Sequence, residues 1–275
     1  MLTTSSQAPA YLPDRDKLSV ATAALVVALL SGHFIHLPGK TLTLNLPGLV
    51  VAVPLTVTSA LALLIAALTA AGTDWILSDH PSLKTRTTLA HWLLPALTAW
   101  VLEVLLQRLP GGWAWWLTLF LGLAVWFSVL VAEYITVDAN DLRYPLAAAV
   151  LVGLGFLLFF LLAVAVRAAG WRLLFAAPTL ALSAGVVALR TLHLHLAGRW
   201  QPVEAVFIAA LVLQLAAAAH HLPLSPAAVA LFLTGSAYAA TVYLGNLLEG
   251  EPWSQAIVEP LVVFGLTLLL MPWAW

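Results

Sequence analysis

Cysteine is absent from the 275 residues, which removes disulfides, thiolate nucleophiles and thiolate metal ligands together and leaves the redox compartment open. Charge is nearly as scarce: 8% of the residues are Asp, Glu, Lys or Arg, against about 25% in an ordinary soluble domain. A water-soluble fold of this length could not cover its surface with so few. The net charge is −1, with no basic tract and no acidic tail, so nothing in the chain suits a nucleic-acid partner. The recurrent catalytic frames are missing too. No Gly-rich loop ends in Lys-Ser or Lys-Thr, no His-Glu-x-x-His occurs, and Gly235-Ser236-Ala237-Tyr238 does not fit the Gly-x-Ser-x-Gly frame of a nucleophile elbow. Residues 1–17 read as a short polar tail. Because Met1 to Pro13 carries no basic run ahead of an apolar core, no cleavable signal peptide is expected.

What the chain has in abundance is apolar length. Hydrophobic residues make up 63% of it, and the mean hydropathy is +1.01. A helix needs about 20 apolar residues to cross the hydrocarbon layer. The sequence predicts such helices at 18–37, 49–71, 88–109, 113–136, 145–167, 171–196, 202–220, 226–248 and 254–274. The expected fold is therefore all-α: a polytopic transmembrane bundle of about nine helices, filling 18–275 as a single domain with no soluble domain. Breaks at Leu37-Pro38-Gly39, Pro110-Gly111-Gly112, Ala169-Gly170 and His221-Leu222-Pro223 end helices and reverse the chain. Pro54, Pro95, Pro178 and Pro260 lie inside apolar runs as kinks. The alternating Thr41 to Leu46 segment has no evident strand partner and is expected to be an extended loop at the interface.

Tryptophan and charge divide the loops between two faces. With nine helices, Trp113, Trp115, Trp116, Trp171, Trp273 and Trp275 fall at one face and Trp75, Trp200 and Trp253 at the other, leaving Trp100 and Trp126 inside. The face holding the amino terminus receives Arg15, Lys17, Lys84, Arg86, Arg143, Arg190 and Arg199, and the opposite face Lys40, Arg108, Arg167 and Arg172. That imbalance of basic residues predicts a cytoplasmic amino terminus. Segments 18–109 and 202–274 also share an order of features. In each, a helix closes on His-Leu-Pro (His36 or His221), a second ends at Trp75 or Trp253, and a third carries an early proline. Six helices separate the copies, so a duplication would be a parallel repeat.

Charge inside lipid costs about 2.5–3.5 kcal/mol at a helix centre, so such residues pair or line cavities. Glu103, Arg190 and Glu259 are the intramembrane candidates. At about 1.5 Å per residue, Arg190 and Glu259 lie at similar depth below the amino-terminal face, which allows either an ion pair between them, with His193 one turn from Arg190, or a snorkelling arginine and a separately hydrogen-bonded carboxyl. Arg190, Glu259, His193, Glu103 and Glu133 form a candidate substrate or ion pathway. Glu103, with Gln107 one turn on, is expected to be protonated or bound to a neighbour. The densest polar stretch runs from Glu133 to Tyr144, where Asp138, Asp141 and Arg143 form a loop cluster. Its plain reading is a solvated, helix-capping turn. Its chemical reading is a pair of carboxylates holding Mg²⁺ against a diphosphate. The 8 histidines include His33 and His36 on one helix face, yet most sit near helix ends, and no metal site or cofactor is expected.

Thr73-Asp74-Trp75-Ile76-Leu77, His80-Pro81, Ala132-Glu133-Tyr134 with Asp138 and Asp141, and His220-His221-Leu222-Pro223-Leu224 together resemble a family of uncharacterised bacterial multi-pass membrane proteins, mostly from Chloroflexota. The likeness covers most of the chain and brings no assigned activity. Membrane prenyltransferases of the ubiquinone-biosynthesis type also have nine helices and an acidic face. Asp138-Ala139-Asn140-Asp141 is only loosely similar to their Asn-Asp-x-x-Asp pattern, no second motif matches, and helix number alone is fold analogy.

Three functions remain. The first is a non-enzymatic assembly or scaffold component that binds the lipid bilayer and a membrane-protein partner or further copies of itself. The second is a small transporter with an Arg/Glu pathway. The third is a Mg²⁺-dependent prenyl- or lipid-modifying enzyme.

Overall fold

The computed structural model describes residues 13–34, 40–46, 49–55, 57–83 and 87–271, with side chains described in 13–34, 60–83 and 87–271. Its helices are α1 (Arg15–Phe34), α2 (Val57–Leu77), α3 (Leu89–Leu106), α4 (Trp113–Ile135), α5 (Tyr144–Ala168), α6 (Leu173–His195), α7 (Pro202–His220), α8 (Pro226–Glu249), α9 (Trp253–Ala256) and α10 (Val258–Leu270). Among the described residues, nine helical segments are long and apolar enough to span a membrane, with α9 and α10 counted as one broken span. The protein is an integral membrane bundle whose apolar helices contact the lipid bilayer, with no soluble domain among the described residues.

One stretch departs from expectation. Thr41 to Leu46 is not a loop, and 49–55 is not the start of a helix. They form a hairpin of β1 (Lys40–Leu46) and β2 (Leu49–Leu55), antiparallel, with Leu46 opposite Leu49 and Lys40 opposite Leu55. The composition explains it. Val50, Val51 and Val53 are β-branched and lose rotamer freedom in a helix. Pro54 cannot donate the backbone hydrogen bond that a helix interior requires. Helix formation therefore waits until Val57 and runs on to Leu77. The Leu37 to Gly39 break, His36, Lys84, Arg86, Trp273 and Trp275 lie outside the described residues.

The other reversals fall where proline and glycine mark them. Gly112, Gly170 and Gly250 all take positive φ (137°, 62° and 93°), a region closed to most side chains. Gly250 closes α8 with its backbone N–H donating to Leu247 O. Arg167 fixes another end by donating to the carbonyl of His220 (2.9 Å), the last residue of α7, and to that of Leu222 (2.9 Å), which also accepts from the Leu224 N–H.

α3 is the centre of the bundle: 67% of its spanning window is buried, against 17% for α1 and 11% for the last span. One apolar core joins α3 to α8 around Leu151, Phe159, Leu162 and Leu233. A second links α1 to α4 around Leu25, Leu29, Trp115 and Trp126. Trp115, expected in the interfacial belt, is instead 2% exposed and stacks near His33 at 4.4 Å between ring centroids. Its neighbours Trp113 and Trp116 stay exposed. The two candidate repeat units occupy unlike places, since α3 is central while the last span packs mainly on α8.

Lipid gives no hydrophobic drive between helices, so contact depends on close approach of small residues. At Gly235 of α8 an added Cβ would stand 2.1 Å from Thr267 Oγ1 of α10, whereas at Gly153 nothing lies within 4 Å. Gly235→Ala is expected to cost about 1–3 kcal/mol through overpacking and Gly153→Ala close to nothing. Thermal unfolding in detergent measures the difference.

Candidate functional site

The polar residues gather at the amino-terminal face, where α3 begins and α4 and α6 end. Arg190 of α6 is 1% exposed and Glu133 of α4 is 0% exposed. Arg190 Nε donates to Glu133 Oε1 at 3.0 Å, and a terminal guanidinium nitrogen donates to Oε2, giving a two-pronged pair. The same terminal nitrogen reaches Thr136 Oγ1 at 3.1 Å, while Thr136 Oγ1 donates back to the Glu133 carbonyl at 3.0 Å. His91 of α3 closes the set, its Nδ1 lying 2.8 Å from Glu133 Oε2. A carboxylate engaged on both oxygens by Arg190 has no proton to give. The network thus assigns the proton to Nδ1, which donates to Oε2. The 3.2 Å approach of the guanidinium to Nδ1 is then a contact of two donors sharing one acceptor.

The expected Arg190 to Glu259 pair does not form. α6 packs on α3, α5, α7 and α8, whereas α10 packs mainly on α8, so equal depth did not make the two residues neighbours. Glu259 instead accepts from Tyr238 Oη at 2.9 Å and is exposed on the outside of the bundle. Glu103 stands apart toward the opposite face. It is 1% exposed, accepts from Gln107 Nε2 at 2.8 Å, and sits against Gly32, where a Cβ would come within 2.5 Å of Oε1. Around it lies a cavity of about 390 Å³ reached also by His33 and Trp115.

Two cavities flank the connection between α4 and α5. The one above the ion pair, about 430 Å³, is lined by His91, Thr136, Tyr144, Arg190, His193 and Trp200 among others. In it His193 Nδ1 is buried without a hydrogen-bond partner among the described residues, its ring 5.1 Å from that of Trp200. Tyr144 Oη donates across to the Leu194 carbonyl at 3.1 Å. The second cavity, about 390 Å³, lies among His80, Ser82, Tyr134, Asp138 and Asp141.

The loop carboxylates are already engaged. Asp138 accepts from Ser82 Oγ at 3.1 Å and from the Asn140 N–H at 3.0 Å. Asp141 accepts from the Arg143 backbone N–H at 2.8 Å and from its guanidinium at 3.2 and 3.0 Å. Arg143 hydrogen bonds hold the Asp141 carboxyl below the usual carboxylate range. No three His, Asp or Glu side chains among the described residues stand close enough to share a metal ion. The helix ends around the site are tied by further contacts: Thr88 Oγ1 donates to Asp74 Oδ1, and Lys17 pairs with Asp79 at 2.6 Å.

Arg190, Glu133 and His193 thus meet as a set, Glu103 and Glu259 do not join them, and His91 is the member that sequence reasoning missed. Its signal was position. His91 opens α3 and Glu133 closes α4 at the same face, each near a helix end, within reach of a long guanidinium.

The bundle and this buried ion-pair network define a multi-pass integral membrane protein with a polar cluster at one end. Residues 37–274 match the model of a family described as a protein of unknown function (DUF5656), and the chain belongs to that family. No curated protein matches the chain, and no solved structure does.

Removing one partner of a buried pair strands the other charge, a loss of about 3–5 kcal/mol. Arg190→Leu or Glu133→Leu alone should lower stability by that order, and the double variant should regain most of it. Denaturation of each purified variant in detergent reads this directly. Burial lowers the His80 imidazole below its ordinary 6.5, with Asp138 acting in the opposite sense. The unfolded chain then binds the proton more readily, so stability rises with pH and is lost as pH falls below 6.5. His80→Gln should flatten that slope, measured as melting temperature against pH.

Proposed function

We propose that this protein is a transporter that carries a small anionic solute together with a proton, using the cavity above Arg190 as its binding vestibule. The observation that carries the reading is the buried Arg190–Glu133–His91–Thr136 network at the floor of a polar cavity. Intramembrane ionisable groups facing a cavity mark solute and proton pathways. The chemistry is a competition for one cation. With Glu133 ionised, Arg190 is neutralised. When Glu133 takes up a proton, the guanidinium is free to bind a carboxylate or similar anion, so anion and proton enter together. Tyr144 and His193 line the space that the solute would occupy. Glu103, with its own cavity toward the far face, is a second proton-accepting position on the central helix. The excess of basic residues at the amino-terminal face favours a cytoplasmic vestibule in a bacterial inner membrane.

A second reading rests on Glu259. An exposed carboxyl on a lipid-facing helix is costly and favours a partner helix, from another membrane protein or a second copy, that covers the outer face of α10. Stoichiometric co-purification in mild detergent, weakened by Glu259→Leu, is the outcome that reading requires.

The transport reading is tested in liposomes holding a pH-sensitive dye, with inward gradients of acetate, lactate or succinate. Wild-type vesicles should acidify several-fold faster than protein-free vesicles for at least one of these acids. His193→Ala should reduce the rate without loss of fold, and Glu133→Gln should uncouple the proton. Equal rates with and without protein across the acids, in both directions of the pH gradient, would falsify the transport reading.

A further inference from the structure

A groove of about 600 Å³ opens on the side of the bundle between α3, α4 and α5, lined by Thr98, Leu105, Leu121, Val125 and Leu161, with Arg108 at its mouth. Its size is that of an ordinary small-molecule site, but its place is unusual. It begins where α3 and α5 end, at Arg108 and Ala168, and reaches back to Thr98 and Leu157. Ten residues along α3 span about 15 Å, half of the ~30 Å hydrocarbon layer. The groove is therefore one leaflet deep. Its floor is shaped by Gly122 of α4, over which the Leu102 side chain lies so closely that a Cβ would meet it at 2.2 Å.

Arg108 sits where such a groove would meet lipid headgroups. Its guanidinium carbon lies 5.9 Å from the Trp171 ring centroid, a packing that holds the side chain at the interface. No hydrogen bond or carboxylate partner accompanies that contact among the described residues. Arg167, by contrast, is occupied by the His220 and Leu222 carbonyls. The loops at this face bring Lys40, Arg108, Arg167 and Arg172 and not one Asp or Glu, so the local field favours an anion. An apolar trough one leaflet deep, ending at an unpaired cation on an aromatic ring, matches a single class of ligand.

We propose that this groove is a specific site for an anionic phospholipid, with one acyl chain lying along α3, α4 and α5 and the headgroup phosphate bound by Arg108. The site is separate from the Arg190 vestibule, which lies at the opposite end of α3, and it does not depend on the transport reading.

The test uses the full chain, delipidated in detergent and titrated with phosphatidylglycerol or phosphatidylcholine of matched chains, followed by native mass spectrometry and thermal unfolding. One phosphatidylglycerol should be retained per protein and should raise the melting temperature saturably, with phosphatidylcholine bound at least tenfold more weakly. Loss of a charge-assisted hydrogen bond to the phosphate means that Arg108→Gln should weaken phosphatidylglycerol about tenfold or more and leave phosphatidylcholine unchanged. Val125→Trp, which fills the trough, should remove both. If that variant misfolds, Ala168→Trp at the exposed mouth serves instead. Soluble glycerophosphate should not compete, because the chain supplies most of the contact. Equal binding of the two lipids to wild type, or retention of phosphatidylglycerol by Arg108→Gln or by a correctly folded groove-filling variant, would overturn the proposal.

Discussion

Lipid cannot hydrate a guanidinium, and that fact organises one end of this protein. Arg190 is buried within α6, so its charge has to be answered from inside the bundle. It is answered by residues of α3 and α4 held at fixed positions, with Glu133 on two donors, Thr136 on a third contact and His91 completing the carboxylate. The arrangement sets how the starts and ends of these helices meet. It also leaves space beside it, because a planar ion pair flanked by an imidazole and a phenol does not fill volume as interdigitating leucines do. The polar cavity is in this sense a consequence of the pair.

A buried pair of this kind rarely contributes much net stability, since desolvation consumes most of the attraction. A core of apolar side chains would hold α3, α4 and α6 at least as well, as it does around Leu151 and Phe159. The presence of ionisable groups where packing alone would suffice is the physical reason to seek a function at this end of the molecule. Three of the four stretches that carry the family resemblance lie at this face, with Asp74, His80, Glu133, Asp138 and Asp141, whereas His220 to Leu224 lies at the opposite one.

The spans were legible because the requirement of about 20 apolar residues per crossing is one-dimensional and is written directly in the chain. Reversals at Gly112 and Gly170 were legible for a similar reason, as each is a local backbone demand. The hairpin was not, because Val50 to Val53 is apolar enough to pass for a span, and the β-branched run and Pro54 that disfavour a helix there decide the outcome only together with 40–46 as a pairing partner. Arg190 announced itself by charge, but its partner did not. Depth along a helix fixes one coordinate, and choosing between Glu133 and Glu259 needed the lateral order of helices, which no spacing within a single span encodes. Trp115 turned inward beside His33 for the same kind of reason: its face depends on where α1 packs.

The connections are unequal in length. Short turns occur at both faces, and the longest connection, from α1 to α2, carries the hairpin at the Arg108 face. The two longer connections at the Arg190 face, 78–88 and 136–143, supply His80, Ser82, Leu83, Asp138 and Ala139 to the walls of the two polar cavities. The rims of those cavities are therefore loop rather than helix, so their outline can change by substitution or insertion while every membrane span keeps its length and its neighbours.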